Sequence, residues 1–131
     1  MTSRKHIKVI TIFNDGSSAS QFGEQSFELN GEPLRMLSDQ QNAENFRVRT
    51  SSPGYESGWH TAGDPTLLLI MAGSVEIILR DDSTATFHAG DMFIAQDYLN
   101  DGIKQNESHG HRARVIGNHD LMAIHIKLRK R

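Results

Sequence analysis

The sequence predicts an all-β protein, folded as one antiparallel barrel or sandwich. Apolar and polar residues alternate with a period of two over several short segments, as expected for strands with one buried face. Turn-forming pairs, such as Asn30-Gly31 and Pro53-Gly54, separate these segments. No segment shows a convincing 3.6-residue period of an amphipathic helix. Many short strands without helices are typical of a barrel or sandwich.

The first third of the chain contains one clear strand and two polar segments. Ile7 to Phe13 is predicted as a short strand, and we interpret residues 14–25 and 36–44, rich in Ser, Gln, Asn and Asp, as loops. We expect residues 1–44 to supply strands and loops that pack on a barrel core of residues 45–128. Residues 129–131 form a basic tail, expected to be solvated. All belong to one structural domain.

The next strand pairs an apolar set with a basic set. Phe46 and Val48 alternate with Arg47 and Arg49. We expect the apolar side chains to face the core, and we interpret the arginines as a solvated face.

The segment from Thr66 to Ala72 is apolar on both faces. Such a strand is either central in its sheet or covered by another subunit, which favours a homodimer. Further strands follow at Val75–Arg80, Ser83–His88, Asp91–Ala95 and Leu121–Leu128. Between the last two, the coil of residues 96–110 is unusually long, and long loops in compact domains are often functional.

Composition excludes several classes of protein. The chain has 131 residues, a formal net charge of −2 and no cysteine, so disulfides and thiolate chemistry are ruled out. Its charge gives no general attraction to nucleic acid or membranes, and no apolar run is long enough to span a bilayer. We therefore expect a cytoplasmic protein that binds a small molecule, with no nucleic-acid or membrane partner.

Two histidine-bearing segments suggest a pocket assembled across the barrel. Gly58-Trp59-His60 precedes the apolar strand, and Ser108-His109-Gly110-His111-Arg112 begins a later one. His111 has the same strand parity as Ala113 and Val115, which places its imidazole on the apolar face. An imidazole in such a position can bind metal or transfer protons, because it titrates near neutral pH. A hydrogen-bonded core histidine is the alternative.

These segments resemble the two motifs of the small cupin barrels. His60 to Gly73 is similar to the first motif, and Gly90-Asp91 through His111 is similar to the second. The resemblance extends to a subgroup with Trp-His, an acidic residue after the Gly-Asp strand, and Gly-x-Gly-His with a nearby Arg. These features would correspond here to Trp59-His60, Asp97, His109-Gly110-His111 and Arg114. The resemblance implies a double-stranded β-helix, or jelly roll, with a ligand site in the lumen.

The resemblance is incomplete at the metal site. The second histidine and the glutamate of the family pattern fall on Ala62 and Thr66, which leaves His60 and His111 of four ligands. His109 is a candidate third ligand. The resemblance implies a divalent transition metal, Fe, Zn, Ni or Mn, as cofactor, but such ions usually take three or more protein ligands and the set here is incomplete.

The leading interpretation is therefore an enzyme that transfers protons within a small organic molecule. His60, His111 and Asp97 are the candidate catalytic residues, and Trp59 and Thr66 are candidates for the substrate pocket. Isomerase, lyase, decarboxylase and cyclase reactions all need a positioned base in a dry pocket. The alternatives are a non-catalytic ligand-binding or sensory cupin, a metal-dependent dioxygenase, and a structural interaction domain.

Overall fold

The computed structural model describes residues 3–129, and the side chains from residue 5 onwards. This part of the chain contains strands and no helix, so the all-β prediction is confirmed. The strands are β1 (Ser3–Phe13), β2 (Gln21–Glu32), β3 (Arg35–Leu37), β4 (Ala43–Ser51), β5 (Thr66–Ala72), β6 (Ser74–Leu79), β7 (Thr84–His88), β8 (Met92–Ala95), β9 (His111–Ile116) and β10 (Leu121–Leu128). Residues 3–129 accordingly hold no helix that could cross a membrane.

The strands form two sheets. The larger has the order β3-β2-β1-β8-β5-β10-β4, and the smaller has the order β7-β6-β9. Neighbouring strands are antiparallel except for β1 and β8, which pair in parallel through Ile10–Ile12 and Phe93–Ala95. β1 therefore lies inside the larger sheet.

The larger sheet is rolled, because its two edges are joined by a short connection. Five residues, 38–42, link the edge strand β3 to the opposite edge strand β4. A flat seven-stranded sheet would separate its edges by about 29 Å. The connection from Leu37 to Ala43 spans at most about 22 Å when fully extended. Only a curved sheet satisfies both lengths.

The hydrophobic core lies between the inner faces of the two sheets. The smaller sheet contributes Val75, Ile77, Leu79, Phe87 and Val115 to it. The larger sheet contributes Ile12, Ile70, Phe93, Ala95, Leu121 and Ala123. The rings of Phe87 and Phe93 stack with centroids 4.2 Å apart, which joins the two layers directly. Two packed, mainly antiparallel sheets around one core confirm the predicted antiparallel barrel or sandwich.

Both predicted loops in the first third are shorter than expected. Residues 21–25 belong to β2, which pairs with β1 over its whole length. The segment 36–44 includes the end of β3 and the start of β4. Both segments are polar in composition because the strands to which they belong are largely exposed. Pairing with neighbouring strands overrides their weak intrinsic β propensity. The coil of residues 96–110 is confirmed.

The predicted faces of β4 are only partly correct. Arg47 is exposed, as predicted, but Phe46 and Val48 are 69% and 64% exposed and Arg49 is half-buried. The register with β10 explains this, since Arg49 pairs with Ala123, which is buried in the core. The alternation in β4 was read correctly, but the assumption that its apolar side faces this core was wrong. Of the basic tail, Arg129 forms an ion pair with Glu44, and residues 130–131 lie outside the described part.

Candidate functional site

His60 and His111 are immediate neighbours at one end of the smaller sheet, where His111 is buried and His60 is exposed. Their backbones form an antiparallel bridge, with His60 N–H donating to the His111 carbonyl at 3.0 Å and the reciprocal bond at 2.8 Å. Their ring centroids are 4.5 Å apart. The segment before His60 therefore extends the smaller sheet beyond β9. The two histidines meet side by side, and not across the barrel.

The predicted orientation of His111 is confirmed. His111, Ala113 and Val115 pair with Leu79, Ile77 and Val75 of β6, all three of which are buried in the core. His111 itself is 5% exposed.

Gly110 allows this close approach. Its φ is +92°, a conformation that L side chains rarely adopt. A Cβ atom at this position would lie 2.7 Å from the carbonyl oxygen of His60. Gly110, a glycine of the second motif, thus permits the close backbone contact between the two histidine segments.

Asp97 anchors His111 from the coil that follows β8. Its Oδ2 atom lies 2.7 Å from His111 Nδ1 and also accepts a hydrogen bond from the Ser20 hydroxyl. Its Oδ1 atom accepts the backbone N–H of Ala62 at 3.0 Å. Burial raises the pKa of Asp97, but the hydrogen bonds and charge of His111, with Ser20 and Ala62, hold it below its ordinary value. Asp97 is therefore ionised at neutral pH.

These bonds fix the tautomers of both imidazoles. His111 donates Nδ1–H to the Asp97 carboxylate, and His60 donates Nδ1–H to the Gly58 carbonyl at 2.9 Å. In the neutral rings, both Nε2 atoms then carry a lone pair. Burial lowers the pKa of His60, so this imidazole is neutral at pH 7. The site holds two adjacent imidazoles that can accept a proton.

The Nε2 atom of His111 is not completely buried. Within residues 3–129, every buried side-chain nitrogen and oxygen atom has a hydrogen-bond partner. The Nε2 atom of His111 has no such partner in this range, so it is not sealed inside the core.

Trp59 and His109 lie apart from this group. The Trp59 ring packs between two guanidinium groups, with Arg80 at 4.1 Å and Arg112 at 5.2 Å from its centroid. His109 Nε2 donates to the Ser17 carbonyl at 2.7 Å, while its Nδ1 accepts the Asn106 N–H at 3.1 Å. Both His109 nitrogens are engaged with backbone.

Thr66 lines a separate, small polar pocket on the larger sheet. The pocket has a volume of about 200 Å³. Its lining comprises Asn45, Arg47, Asp64, Thr66, His125 and Lys127. His125 is half-buried and lies on the same strand face as the buried Leu121 and Ala123, as its parity predicts.

Sequence reasoning missed two contributors to the site. Ser20 is 5% exposed and bonds Asp97, but a serine in a polar segment carries no sequence signal for such a contact. Arg49 was assigned to solvent because Phe46 and Val48 look like a core face. The alternation of residue types shows that β4 has two different faces. Only the register with β10 shows which face is turned inward.

The donor set does not fit a transition metal. Residues 3–129 contain no group of three or more His, Cys, Asp or Glu side chains arranged to hold a metal ion. Of the side-chain nitrogens and oxygens of His60, His111 and Asp97, the two Nε2 atoms alone have no hydrogen-bond partner within residues 3–129, since both Asp97 oxygens already accept hydrogen bonds. Thr66 donates its hydroxyl to the Asp64 carbonyl at 3.0 Å. Two imidazoles are fewer protein ligands than such ions take.

No protein-family model matches the sequence, and no curated protein matches it significantly. Among solved structures, the chain is similar to a cupin-2 domain containing protein from Shewanella frigidimarina, with a TM-score of 0.46 and 19% identity, covering 73% of this chain and 86% of that one. It is also similar to the cupin domain of Cnp3 from Schizosaccharomyces pombe, with a TM-score of 0.44 and 13% identity, covering 95% and 83%. The likeness is one of fold.

Proposed function

We propose that this protein is a small-molecule enzyme that transfers protons with His111 and His60. The observation that carries the proposal is the Asp97 carboxylate, fully buried and 2.7 Å from His111 Nδ1, beside the imidazole of His60. A carboxylate that orients an imidazole also stabilises the imidazolium that forms when the ring accepts a proton.

In the proposed reaction, His111 Nε2 accepts a proton from a substrate carbon or heteroatom. The resulting charge is balanced by Asp97, which Ser20 and the Ala62 amide hold in place. The protonated His111 then returns this proton at another substrate atom, or His60, whose pKa burial lowers, first accepts a proton there as the second base. Isomerisation, elimination and cyclisation use such paired transfers, and none requires a redox partner.

Proton exchange into carbon acids tests this function without knowledge of the natural substrate. The panel is pyruvate, 2-oxobutyrate and malonate, with acetone and pyruvamide as uncharged members, incubated with the protein in D2O and followed by NMR. We expect faster exchange than with free imidazole at equal concentration, and His111→Gln should lower it by about 100-fold or more. His119→Gln is the matched control, because His119 is an exposed turn residue.

Two outcomes would overturn the proposal. Exchange that is unchanged in His111→Gln would show that His111 takes no part in the proton transfer. Exchange no faster than free imidazole with every member of the panel would favour the non-catalytic ligand-binding alternative, which uses the same lumen. Elemental analysis of the untagged protein tests the metal-dependent alternative separately.

We also propose that the protein is a homodimer through the outer face of β4, β10 and β5. Phe46, Val48, Met71 and Met122 on these strands are between 46% and 69% exposed. β4 is an edge strand of nine residues, so its free edge and its apolar face lie together. A second copy related by a two-fold axis covers both, since antiparallel self-pairing of an edge is isologous.

Sedimentation equilibrium tests the dimer. The double variant Phe46→Glu/Val48→Lys should be monomeric at concentrations where the wild type is dimeric. Leu34→Lys is the control, because Leu34 is fully exposed in the turn between β2 and β3. A wild-type monomer, or a double variant that remains dimeric, would contradict this interface.

A further inference from the structure

A second cavity lies on the face of β1 that is turned away from the hydrophobic core. Thr11 and Phe13 line this cavity, whereas Ile12 between them belongs to the core. Residues 40–42, in the connection between β3 and β4, complete its lining. Its volume is about 880 Å³, within the range of about 300–1,000 Å³ that is typical of pockets for small molecules.

The coil after β8 separates this cavity from the histidine pair. Gln96 and Tyr98 line the cavity, while Asp97 between them bonds His111. Neither His60 nor His111 belongs to the lining. The cavity is therefore a site of its own, which the proposed proton transfer does not use.

Most polar side chains of the lining are uncharged carboxamides. They are Asn14, Gln25, Gln40, Gln41, Asn42 and Gln96. Two charged residues, Glu24 and Arg129, also line the cavity, and both are exposed. Glu24 lies 3.9 Å from Lys8, and Arg129 lies 3.3 Å from Glu44. Both charges thus have a partner in the protein, which leaves the cavity without a net charge to select an ion.

Thr11 places a hydroxyl group without a partner in this cavity. The residue is 3% exposed, yet within residues 3–129 its hydroxyl makes no hydrogen bond. Every completely buried side-chain nitrogen or oxygen atom in this range has a partner, so the hydroxyl borders the cavity that Thr11 lines. A mostly buried hydroxyl without a partner is unfavourable, and a hydrogen bond to a ligand would remove that cost.

Phe13 adds an apolar surface beside this hydroxyl. A Cβ atom at Gly23 would lie 2.8 Å from the Phe13 ring and 3.1 Å from Thr11 Oγ1. The missing side chain of Gly23 therefore leaves room for the ring next to Thr11. In the same part of the lining, Gln25 and Gln96 are half-buried, and their side chains make no hydrogen bond within residues 3–129.

We propose that this cavity binds a neutral carbohydrate of one or two sugar units. A carboxamide group both donates and accepts hydrogen bonds without charge, as does each hydroxyl group of a sugar. The negative face of an aromatic ring suits the C–H groups on one side of a sugar ring. Thr11, Gln25 and Gln96 bind the sugar hydroxyls, and Phe13 packs on the sugar ring. This inference is independent of the proposed proton transfer, since it uses other residues.

NMR titration of the isotope-labelled full chain tests the site. The neutral probes are glucose, galactose, mannose, N-acetylglucosamine and maltose, and the comparison probes are cyclohexanol and glucose 6-phosphate. We expect at least one neutral sugar to shift the side-chain amide signals of Gln25 and Gln96 in a saturable way. Cyclohexanol, with one hydroxyl, should bind more weakly, and glucose 6-phosphate should bind no more tightly than glucose.

Two variants test the named contacts. Thr11→Val should weaken sugar binding by about fivefold. It should not lower the free energy of unfolding, because the hydroxyl has no protein partner to lose. Phe13→Leu should weaken binding by about 10-fold. Thr86→Val is the matched control, because Thr86 is exposed on β7 of the smaller sheet.

Several outcomes would overturn this inference. One is the absence of a saturable shift with every neutral sugar, and another is full affinity in both variants. Equal affinity for cyclohexanol would identify an apolar pocket, and tighter binding of glucose 6-phosphate would identify an anion site. Proton exchange should be unchanged in Thr11→Val, so that the sugar site and the proposed function can fail separately.

Discussion

Two groups of polar side chains differ in how their hydrogen bonds and charges are satisfied. The histidine wall, formed by His60, His111 and Asp97, is closed by reciprocal backbone bonds and by hydrogen bonds to both carboxylate oxygens. The arginine wall, formed by Arg47, Arg49 and His125 on β4 and β10, has an exposed Arg47 and a half-buried Arg49, and its pocket also contains the Asp64 carboxylate. The first group is held together by its own hydrogen bonds, and the second is held less tightly.

This difference bears on how each group responds to mutation. A general base works best when its orientation and protonation are set before the substrate arrives. The histidine wall should therefore lose much stability on mutation, and the arginine wall should lose much less.

The largest expected effect comes from removing Asp97. Asp97→Ala leaves the His111 Nδ1–H, the Ser20 hydroxyl and the Ala62 amide without an acceptor in a buried place. Loss of one partner of such a buried pair costs about 3–5 kcal/mol in the free energy of unfolding, measured by urea titration. Asp101→Ala, in the exposed part of the same coil, should stay within about 0.5 kcal/mol. Equal effects of the two substitutions would contradict the anchoring role.

Gly110→Ala tests the close contact between the histidine segments. Gly110 and Gly102 both have positive φ, +92° and +84°, but only a Cβ at position 110 would meet the His60 backbone. Gly102→Ala should cost about 1 kcal/mol through backbone strain alone, and Gly110→Ala should cost about 1–3 kcal/mol more. The His60 NMR signals should shift only in the second variant. Equal free energies of unfolding in the two variants would show that the backbone bridge between His60 and His111 tolerates a side chain at position 110.

The pH dependence of stability compares one histidine from each wall. Burial lowers the pKa of His60 and of His125 below 6.5, and for His125 the charges of Arg49 and Arg47 add to this. Between the lowered pKa and 6.5 the unfolded chain binds more protons, so stability rises with pH through that window and is complete above it. The half-buried His125 contributes at most about 1.4 kcal/mol per pH unit. The exposed His60 contributes less than this, because solvent screens its charge. His60→Asn and His125→Asn should each flatten the urea-derived profile, and an unchanged slope would refute the burial argument.

The smallest effect is expected for Arg49→Gln. The substitution removes the hydrogen bond to Ser51 and the guanidinium contact with the Tyr55 ring, both partly exposed, so the free energy of unfolding should fall by no more than about 1 kcal/mol. NMR titration should show a rise in the pKa of His125 and a smaller rise for His60, because burial dominates both. A loss of several kcal/mol would mean that Arg49 belongs to a closed network, like the histidine wall.

The sequence predicted the strands better than the contacts between them. Leu121–Leu128 was predicted with the bounds that the structure has, because period-two alternation is a local property of the chain. β2 and β3 were largely missed, since exposed strands need no apolar alternation and are fixed by pairing with β1. For the site, parity alone placed His111 on the core face, and resemblance to the cupin motifs singled out His60 and Asp97.

By itself, the sequence determined the all-β class, the position of most later strands and the side of β9 that faces inward. Only the tertiary structure decided the rest. It brought Ser20 to Asp97 across 77 positions, set His60 beside His111, and turned Arg49 inward and Phe46 outward. Alternation gives each strand two faces without saying which is buried. That choice follows from register with neighbouring strands, which is a property of the whole sheet.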